Sequence, residues 1–215
     1  MIISINGKIS SGKDTVGSII QHLTAKDSSK DCIKRVRGGL PIDGYHNSTW
    51  EIKKFAGKLK QIGSILSSVP VEMFEDQEFK KLNMNPEWGM TYREFLQKLG
   101  TEAMRDGLHT NVWVNALFAD YKESPQNVLG NEGYKLEDVY PNWIITDMRF
   151  PNEMEAVELR EGVTIKVVRP GTAVGTHPSE TALDDAKFDY EIINDAGIPE
   201  LIEKVREILT KEKII

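Results

Sequence analysis

A single cysteine, Cys32, stands in 215 residues, which excludes an internal disulfide and fits a reducing compartment. The four histidines, His22, His46, His109 and His177, are scattered without metal-ligand spacing, so no structural zinc site is expected. No apolar run approaches the roughly 20 residues of a membrane helix. The opening MIISIN is too short for the apolar centre of a secretion signal. Internal repeats and low-complexity tracts are lacking as well. Positive charge is in deficit: 27 Lys and Arg face 33 Asp and Glu, for a formal net charge of −6. That balance argues against broad, non-specific binding to nucleic acid, though it leaves room for a local basic cleft.

What is present reads as an ordinary globular chain, with 40% hydrophobic and 28% charged residues. Its length suits one domain, or one domain with a sizeable excursion. MIISIN is a short β-branched run of the kind found in buried parallel strands. Val16, Ile19, Ile20 and Leu23 then follow helical spacing. Residues 26–49 are polar and read as a surface excursion, with a short strand near 32–36. A strand ending near Phe55 leads into a helix with Leu59, Ile62, Ile65, Leu66 and Val69 on one face. Thr91 and Glu94 stand in capping-box spacing. They open a helix striped by Phe95, Leu96, Leu99, Ala103 and Met104, and TNVWVNALFADY continues as another. Residues 122–142 are turn-rich and polar and read as a loop. The last third alternates: strand WIITDMRF, helix NEMEAVELREG closed by Gly162, strand VTIKVVRP, short strand YEIIN, and a final helix with Pro199 in its first turn. Such alternation predicts an α/β fold, a parallel sheet covered by helices on both faces. In these sheets ligands bind at the carboxyl ends of strands.

One such strand end carries a glycine loop. Gly7, Gly12 and Lys13 match G-x-x-x-x-G-K between a predicted strand and a predicted helix. Glycines let successive N–H groups approach phosphate oxygens, and the helix N-terminus adds its dipole. Lys13 supplies a mobile cation for the β- and γ-phosphates. The usual hydroxyl after the lysine is replaced by Asp14, with Thr15 one place later. This shifted form points away from switch GTPases and motor ATPases and toward small kinases. Asp14 either orients a Mg²⁺-bound water or caps the helix, and the sequence leaves both readings open.

A second strand end, ITDMRFPNE, offers an acid and a cation. Asp147 and Arg149 are spaced to share a face while the strand lasts. Phosphoryl transfer needs cations over the equatorial oxygens and an acid to manage Mg²⁺ or a substrate group. A structural ion pair at the sheet edge is the plain alternative. Glu153, one turn into the next helix, is placed to reach the same cleft, although an ordinary surface glutamate fits the spacing equally well.

Taken in order, GKDT (12–15), FAGKLK (55–60), TYREFLQKLGTE (91–102), VWVNAL (112–117), TDMRFPNEMEA (146–156), VVRPG (167–171) and THPSETAL (176–183) resemble the bacteriophage deoxynucleoside monophosphate kinases. The resemblance runs nearly end to end, with gaps at 26–49 and 122–142. It implies a three-layer P-loop kinase fold in one domain, 1–215. A helical acceptor-binding region would cover about 56–121 and a lid-like loop about 170–182. It also implies ATP as donor with Mg²⁺, no resident metal site, and a deoxynucleoside monophosphate as acceptor. Gly7, Lys8, Ser11, Gly12, Lys13, Asp14 and Thr15 would hold ATP. Lys60, Arg93, Trp113, Asp147, Arg149 and Glu153 would bind the acceptor, with Lys13, Arg149 and Asp147 at the transfer site and Arg169 on the lid. Plain readings stand beside several of these: a solvated helix lysine for Lys60, a surface arginine for Arg93, a core tryptophan for Trp113. His177 and Glu180 match the T-H-x-x-E segment, for which loop anchoring is as good a reading as chemistry.

The implied activity is ATP-dependent phosphorylation of deoxynucleoside 5′-monophosphates to diphosphates, supplying DNA precursors in the cytoplasm of an infected host cell. Stable nucleic-acid and membrane binding are not expected. A homodimer is compatible with the family, but no heptad seam announces one. MRFPNE is a variant of the family's D-x-R segment, and residues 61–90 match it poorly, which leaves base choice open. Two readings compete: a small-molecule kinase of the dephospho-coenzyme A or phosphomevalonate type, and a non-catalytic nucleotide-binding module. A DNA-binding ATPase is disfavoured by the net charge and the lack of a basic stripe.

Overall fold

The computed structural model describes residues 1–25, 48–130, 133–172 and 178–215. The short strand expected near 32–36 lies outside the described residues, as do Cys32, His46, His177 and the middle of the lid-like loop. The chain divides into two compact units, one of Met1–Lys54 with Tyr121–Ile215 and the other of Phe55–Asp120.

The first unit is built on five parallel strands: β1 (Ile2–Gly7), β2 (Trp50–Lys53), β5 (Asn142–Met148), β6 (Val163–Val168) and β7 (Tyr190–Ile193). They lie in the order β2-β5-β1-β6-β7. β1 is central, pairing Ile3 with Ile144 on one side and with Val163 on the other. Its residues alternate between two buried faces, so Ile2, Ile3 and Ile5 are all apolar and fully buried. Ile3 and Ile5 enter a core with Val16, Ile19 and Ile20 of helix α1 (Lys13–Leu23) and Leu201, Val205 and Leu209 of the C-terminal helix Ile198–Lys211. On the opposite face Ile2 meets the turn that follows helix Pro151–Glu158. The expected α/β architecture is therefore the observed one.

The remaining two strands, β3 (Ser124–Gly130) and β4 (Gly133–Val139), correct the reading of residues 122–142 as a loop. They form an antiparallel hairpin from Ser124↔Val139 to Gly130↔Gly133, a register with a two-residue connection. Leu136, Glu137 and Asp138 are exposed. The pairing is a backbone feature, and the polar, turn-rich sequence carries no clear alternating apolar signal. A smaller correction concerns the turn after residue 158. The left-handed residue there is Glu161 (φ 55°), while Gly162 donates its N–H to Val157 O at 3.0 Å.

The second unit is helical. It contains α2 (Gly57–Ser67), three short 3₁₀ turns, α3 (Tyr92–Gln97) and α4 (Val112–Phe118). The Thr91–Glu94 capping box is present on both sides of its exchange. The stripe expected beyond it is interrupted, because Lys98–Asp106 winds as a π-helix. Gly107 N–H reaches back five residues to Glu102 O. The wider turn rotates later side chains off the α-helical face, and Ala103 is exposed. On α2 the buried side runs through Gly63, beside Phe74, Phe95 and Leu96. Ile65 lies opposite and is 80% exposed, and Val69 falls beyond the helix end at Ser67, so the five apolar residues expected on one face do not share a buried helix face.

Packing of α1 on the sheet depends on Gly17. A Cβ there would lie 2.5 Å from Thr146 Cγ2 and 3.5 Å from Ile144 Cγ2. Gly17→Ala should lower stability by about 1–3 kcal/mol, measured as a reduced urea midpoint.

Candidate active site

The connections leaving β1 and β6 diverge, one toward β2 and the other toward β7. A crevice opens where they part, at the carboxyl ends of the strands. A pocket lies there, with Gly7, Ser11, Arg149, Val167, Arg169 and Glu180 in its wall.

The glycine loop forms one side. Ser10 and Gly12 take left-handed φ angles of 63° and 98°. Gly7 is needed for close approach, since a Cβ there would fall 2.4 Å from Ser11 Oγ and 2.8 Å from Val167 O. Ser11 N–H donates to Lys8 O at 3.1 Å, and Val16 N–H to Gly12 O at 2.9 Å as α1 begins. Among the described residues Ser11 Oγ is buried with no hydrogen-bond partner. A buried hydroxyl of that kind carries an unmet desolvation cost that an incoming anion can offset.

Lys13, 9% exposed, sits at the loop's floor with Nζ 3.4 Å from Lys8 O. Burial pushes its pKa below the ordinary lysine value. The charges of Asp14, Glu180 and Asp147 oppose that fall and Arg149 adds to it. Asp14 accepts a hydrogen bond from Thr146 Oγ1 at 3.1 Å and faces Lys54 Nζ at 3.7 Å. The N-terminus of α1 has no side-chain cap bond at Gly12.

β5 carries one extra residue relative to β1 between the pairs Ser4↔Ile145 and Asn6↔Met148. The strand ends at Met148, and Arg149 follows on the way into α5 (Pro151–Glu158). Glu153 is 3% exposed, and its Oε2 accepts the N–H groups of Arg149 (2.7 Å) and Phe150 (3.2 Å). This carboxylate thus caps the helix and fixes the backbone that presents Arg149. The Arg149 guanidinium pairs with Glu180. Arg169 is exposed at the end of β6, in a turn where Thr172 Oγ1 donates to Arg169 O at 2.9 Å.

Lys60, Arg93 and Trp113 belong to the helical unit. Lys60 pairs with Glu75 at 2.5 Å, and Arg93 Nη2 donates to Gln77 Oε1 at 3.0 Å. Trp113 is buried and its indole N–H donates to Gly100 O at 2.9 Å.

Asn194 was missed by sequence reasoning. Its Nδ2 donates to Ser11 O at 2.8 Å, and its backbone N–H donates to Val168 O at 2.7 Å. It also fills the space over Gly12 that a Cβ would need. The signal was available, since Asn194 is the first residue after β7, at a strand's carboxyl end.

Two predictions follow from these contacts. Lys13 is depressed in the folded state, so between that lowered pKa and the unfolded value the unfolded chain holds more protons. Stability should therefore rise with pH across that window. Affinity for inorganic tripolyphosphate should fall across it as the ammonium discharges. Calorimetric titrations at stepped pH should show this dependence in the native chain, and Lys13→Met should flatten it. Separately, Asn194→Ala should weaken tripolyphosphate binding by roughly 5–10-fold, the equivalent of about one net hydrogen bond.

Comparison with known proteins is consistent with this geometry. The sequence profile of the deoxynucleotide monophosphate kinase family matches residues 44–205, well over half of the chain. The matched span begins beyond the glycine loop, whose reading rests on its own geometry. A putative deoxynucleotide monophosphate kinase of Acanthamoeba polyphaga mimivirus is 29% identical over 163 residues, which are 71% of this chain and 79% of that protein. The deoxynucleotide monophosphate kinase of Enterobacteria phage T4 is 29% identical over 59% of this chain and 48% of its own length. That of Escherichia phage RB69 is 28% identical over 59% and 47%. The chain thus aligns with about half the length of the two phage enzymes. It belongs to the deoxynucleotide monophosphate kinase family of phosphotransferases.

Proposed function

We propose that the protein transfers the γ-phosphoryl group of ATP to the 5′-phosphate of a deoxynucleoside monophosphate, yielding ADP and the deoxynucleoside diphosphate. The observation that carries this reading is the loop itself. It combines a buried hydroxyl without a partner, a desolvated lysine and left-handed turns, with an arginine in the wall of the same pocket.

In the reaction the acceptor phosphate oxygen forms a bond to the γ-phosphorus, and the bond from that phosphorus to the β,γ-bridging oxygen breaks. The acceptor oxygen is already ionised near neutral pH, so no strong base is required. Catalysis is positioning plus electrostatics. The loop amides, Ser11 Oγ and Lys13 take the donor phosphates, with Gly7, Lys8, Gly12 and Thr15 completing the cradle. Arg149 bridges donor and acceptor, held by the backbone bonds to Glu153. Arg169 adds charge at the rim. We also assign Lys60, Arg93 and Trp113 to acceptor binding, on the strength of the motif resemblance.

Among the described residues no group of three His, Cys, Asp or Glu side chains could hold a resident metal. Mg²⁺ arriving on nucleotide phosphates needs only one or two protein groups. Asp14, Thr15 and Asp147 are the groups that would hold it or its waters. Bound there, it would neutralise phosphate charge.

Among the described residues no helix is long and apolar enough to cross a membrane. We place the activity in the cytoplasm of an infected cell, supplying DNA precursors, in keeping with the viral sources of the relatives.

The test is ADP release from ATP and Mg²⁺ over a panel of deoxy- and ribonucleoside monophosphates. Turnover is expected on at least one deoxy substrate, reduced at least about 100-fold by Lys13→Ala. ATP binding without turnover on any acceptor would identify a binding module. Transfer only to a non-nucleotide would identify a small-molecule kinase.

A further inference from the structure

Two cations of the pocket, Arg149 and Lys8, are already engaged by the protein's own acids. Glu180 pairs through Oε1 with the Arg149 guanidinium, while its Oε2 lies 3.4 Å from the Ile9 N–H of the glycine loop. Four residues on, Asp184 Oδ2 lies 3.2 Å from Lys8 Nζ, and Asp184 O accepts from Lys166 Nζ at 2.8 Å. Leu183, 4% exposed and in the same wall, anchors the segment between the two acids. The Glu180 side chain is 8% exposed, against 42% for Asp184. Of the two carboxylates Glu180 is therefore the desolvated one, where loss of its partner matters most.

Each carboxylate does what a phosphate oxygen would do at the same place. One oxygen of Glu180 takes a guanidinium, and the other faces a loop amide. That amide has a single hydrogen to give. Arg149 also has to turn its donors toward phosphate if it is to bridge donor and acceptor.

We propose that Glu180, with Asp184 as a weaker outer counterpart, is a resident anion of the phosphate site. It holds Arg149 and the loop amide ready in the empty protein and is exchanged for a nucleotide phosphate on binding. Glu180 is thus a positioning residue that sets substrate affinity. Its carboxylate lowers the affinity of the empty site for phosphate. In return it keeps Arg149 from relaxing to another partner. This inference rests on the phosphate-site reading above.

The experiment is calorimetric titration with inorganic tripolyphosphate, and then with ATP, of the native chain, Glu180→Gln, Asp184→Asn and Lys13→Met. Removal of the competing charge should tighten tripolyphosphate binding by about 5-fold in Glu180→Gln and about 2-fold in Asp184→Asn, the scale of one partly screened ion pair. Steady-state assays should show the KM for ATP falling in Glu180→Gln while kcat also falls, since the Arg149 guanidinium has lost the Glu180 carboxylate. A residue that only anchors the segment would leave affinity unchanged or weaken it, and that result overturns the proposal. If Glu180→Gln melts well below the native chain, Asp184→Asn decides on the same criterion. Equal tripolyphosphate binding by the native chain and Lys13→Met would instead overturn the phosphate-site reading. Lys13-dependent binding that is unchanged or weaker in Glu180→Gln would overturn only the resident anion.

Discussion

The structure of the site follows from one buried charge. Lys13 has lost most of its water at the floor of the glycine loop, a cost that falls on the charged form of the side chain. Three acids stand near enough to favour that charge, Asp14, Glu180 and Asp147, and they come from three separate elements. Arg149 works against it. Net depression of the pKa means the acids do not fully offset burial and the arginine. In the proposed reaction the charge left under-compensated is the one a polyanion would satisfy on arrival. A lysine in water would have nothing comparable to gain.

Holding that arrangement needs the sheet. β1 brings the loop between β5, which delivers Thr146, Asp147 and Arg149, and β6, whose Val167 carbonyl packs on Gly7. The extra residue in β5 falls at Thr146–Asp147, the polar end of the strand, where bulges commonly re-aim side chains. Asn194 closes the construction from β7 by fixing the Ser11 carbonyl. The loop's conformation is therefore set by three strands, although its motif reads as a local feature.

That difference explains what could be read in the chain and what could not. Strand–helix alternation, the buried helix face of Val16, Ile19, Ile20 and Leu23, and the capping box at Thr91 are signals carried by neighbours in sequence. The hairpin at 124–139 escaped because its strands are held by backbone pairing and carry an exposed edge of Leu136 to Asp138. The π-helical turn at 98–106 escaped because hydrogen-bond period is not written in the spacing of side chains. The partners of the loop lie far away along the chain: Ser11 and Asn194 are 183 residues apart, Lys8 and Asp184 are 176 apart. Glu180 was visible as a motif residue, but its pairing with Arg149 depends on β6 lying beside β1, which only the sheet order supplies.

The same pairing bears on how an acidic protein takes an acidic ligand. At a net charge of −6 the long-range field disfavours a polyanion, though at physiological ionic strength it is screened beyond about 8 Å. Recognition then rests on short-range cations. Lys8, Lys13, Arg149, Lys166 and Arg169 are drawn together by the carboxyl ends of β1, β5 and β6. Left bare, so many like charges would repel one another and weaken the fold around the crevice. Internal carboxylates remove that repulsion at the cost of some affinity. Because Glu180 is the buried acid and Asp184 the exposed one, most of that cost falls on Arg149. In the proposed reaction Arg149 is also the group that touches both phosphates, so affinity would be surrendered at the point where charge develops during transfer.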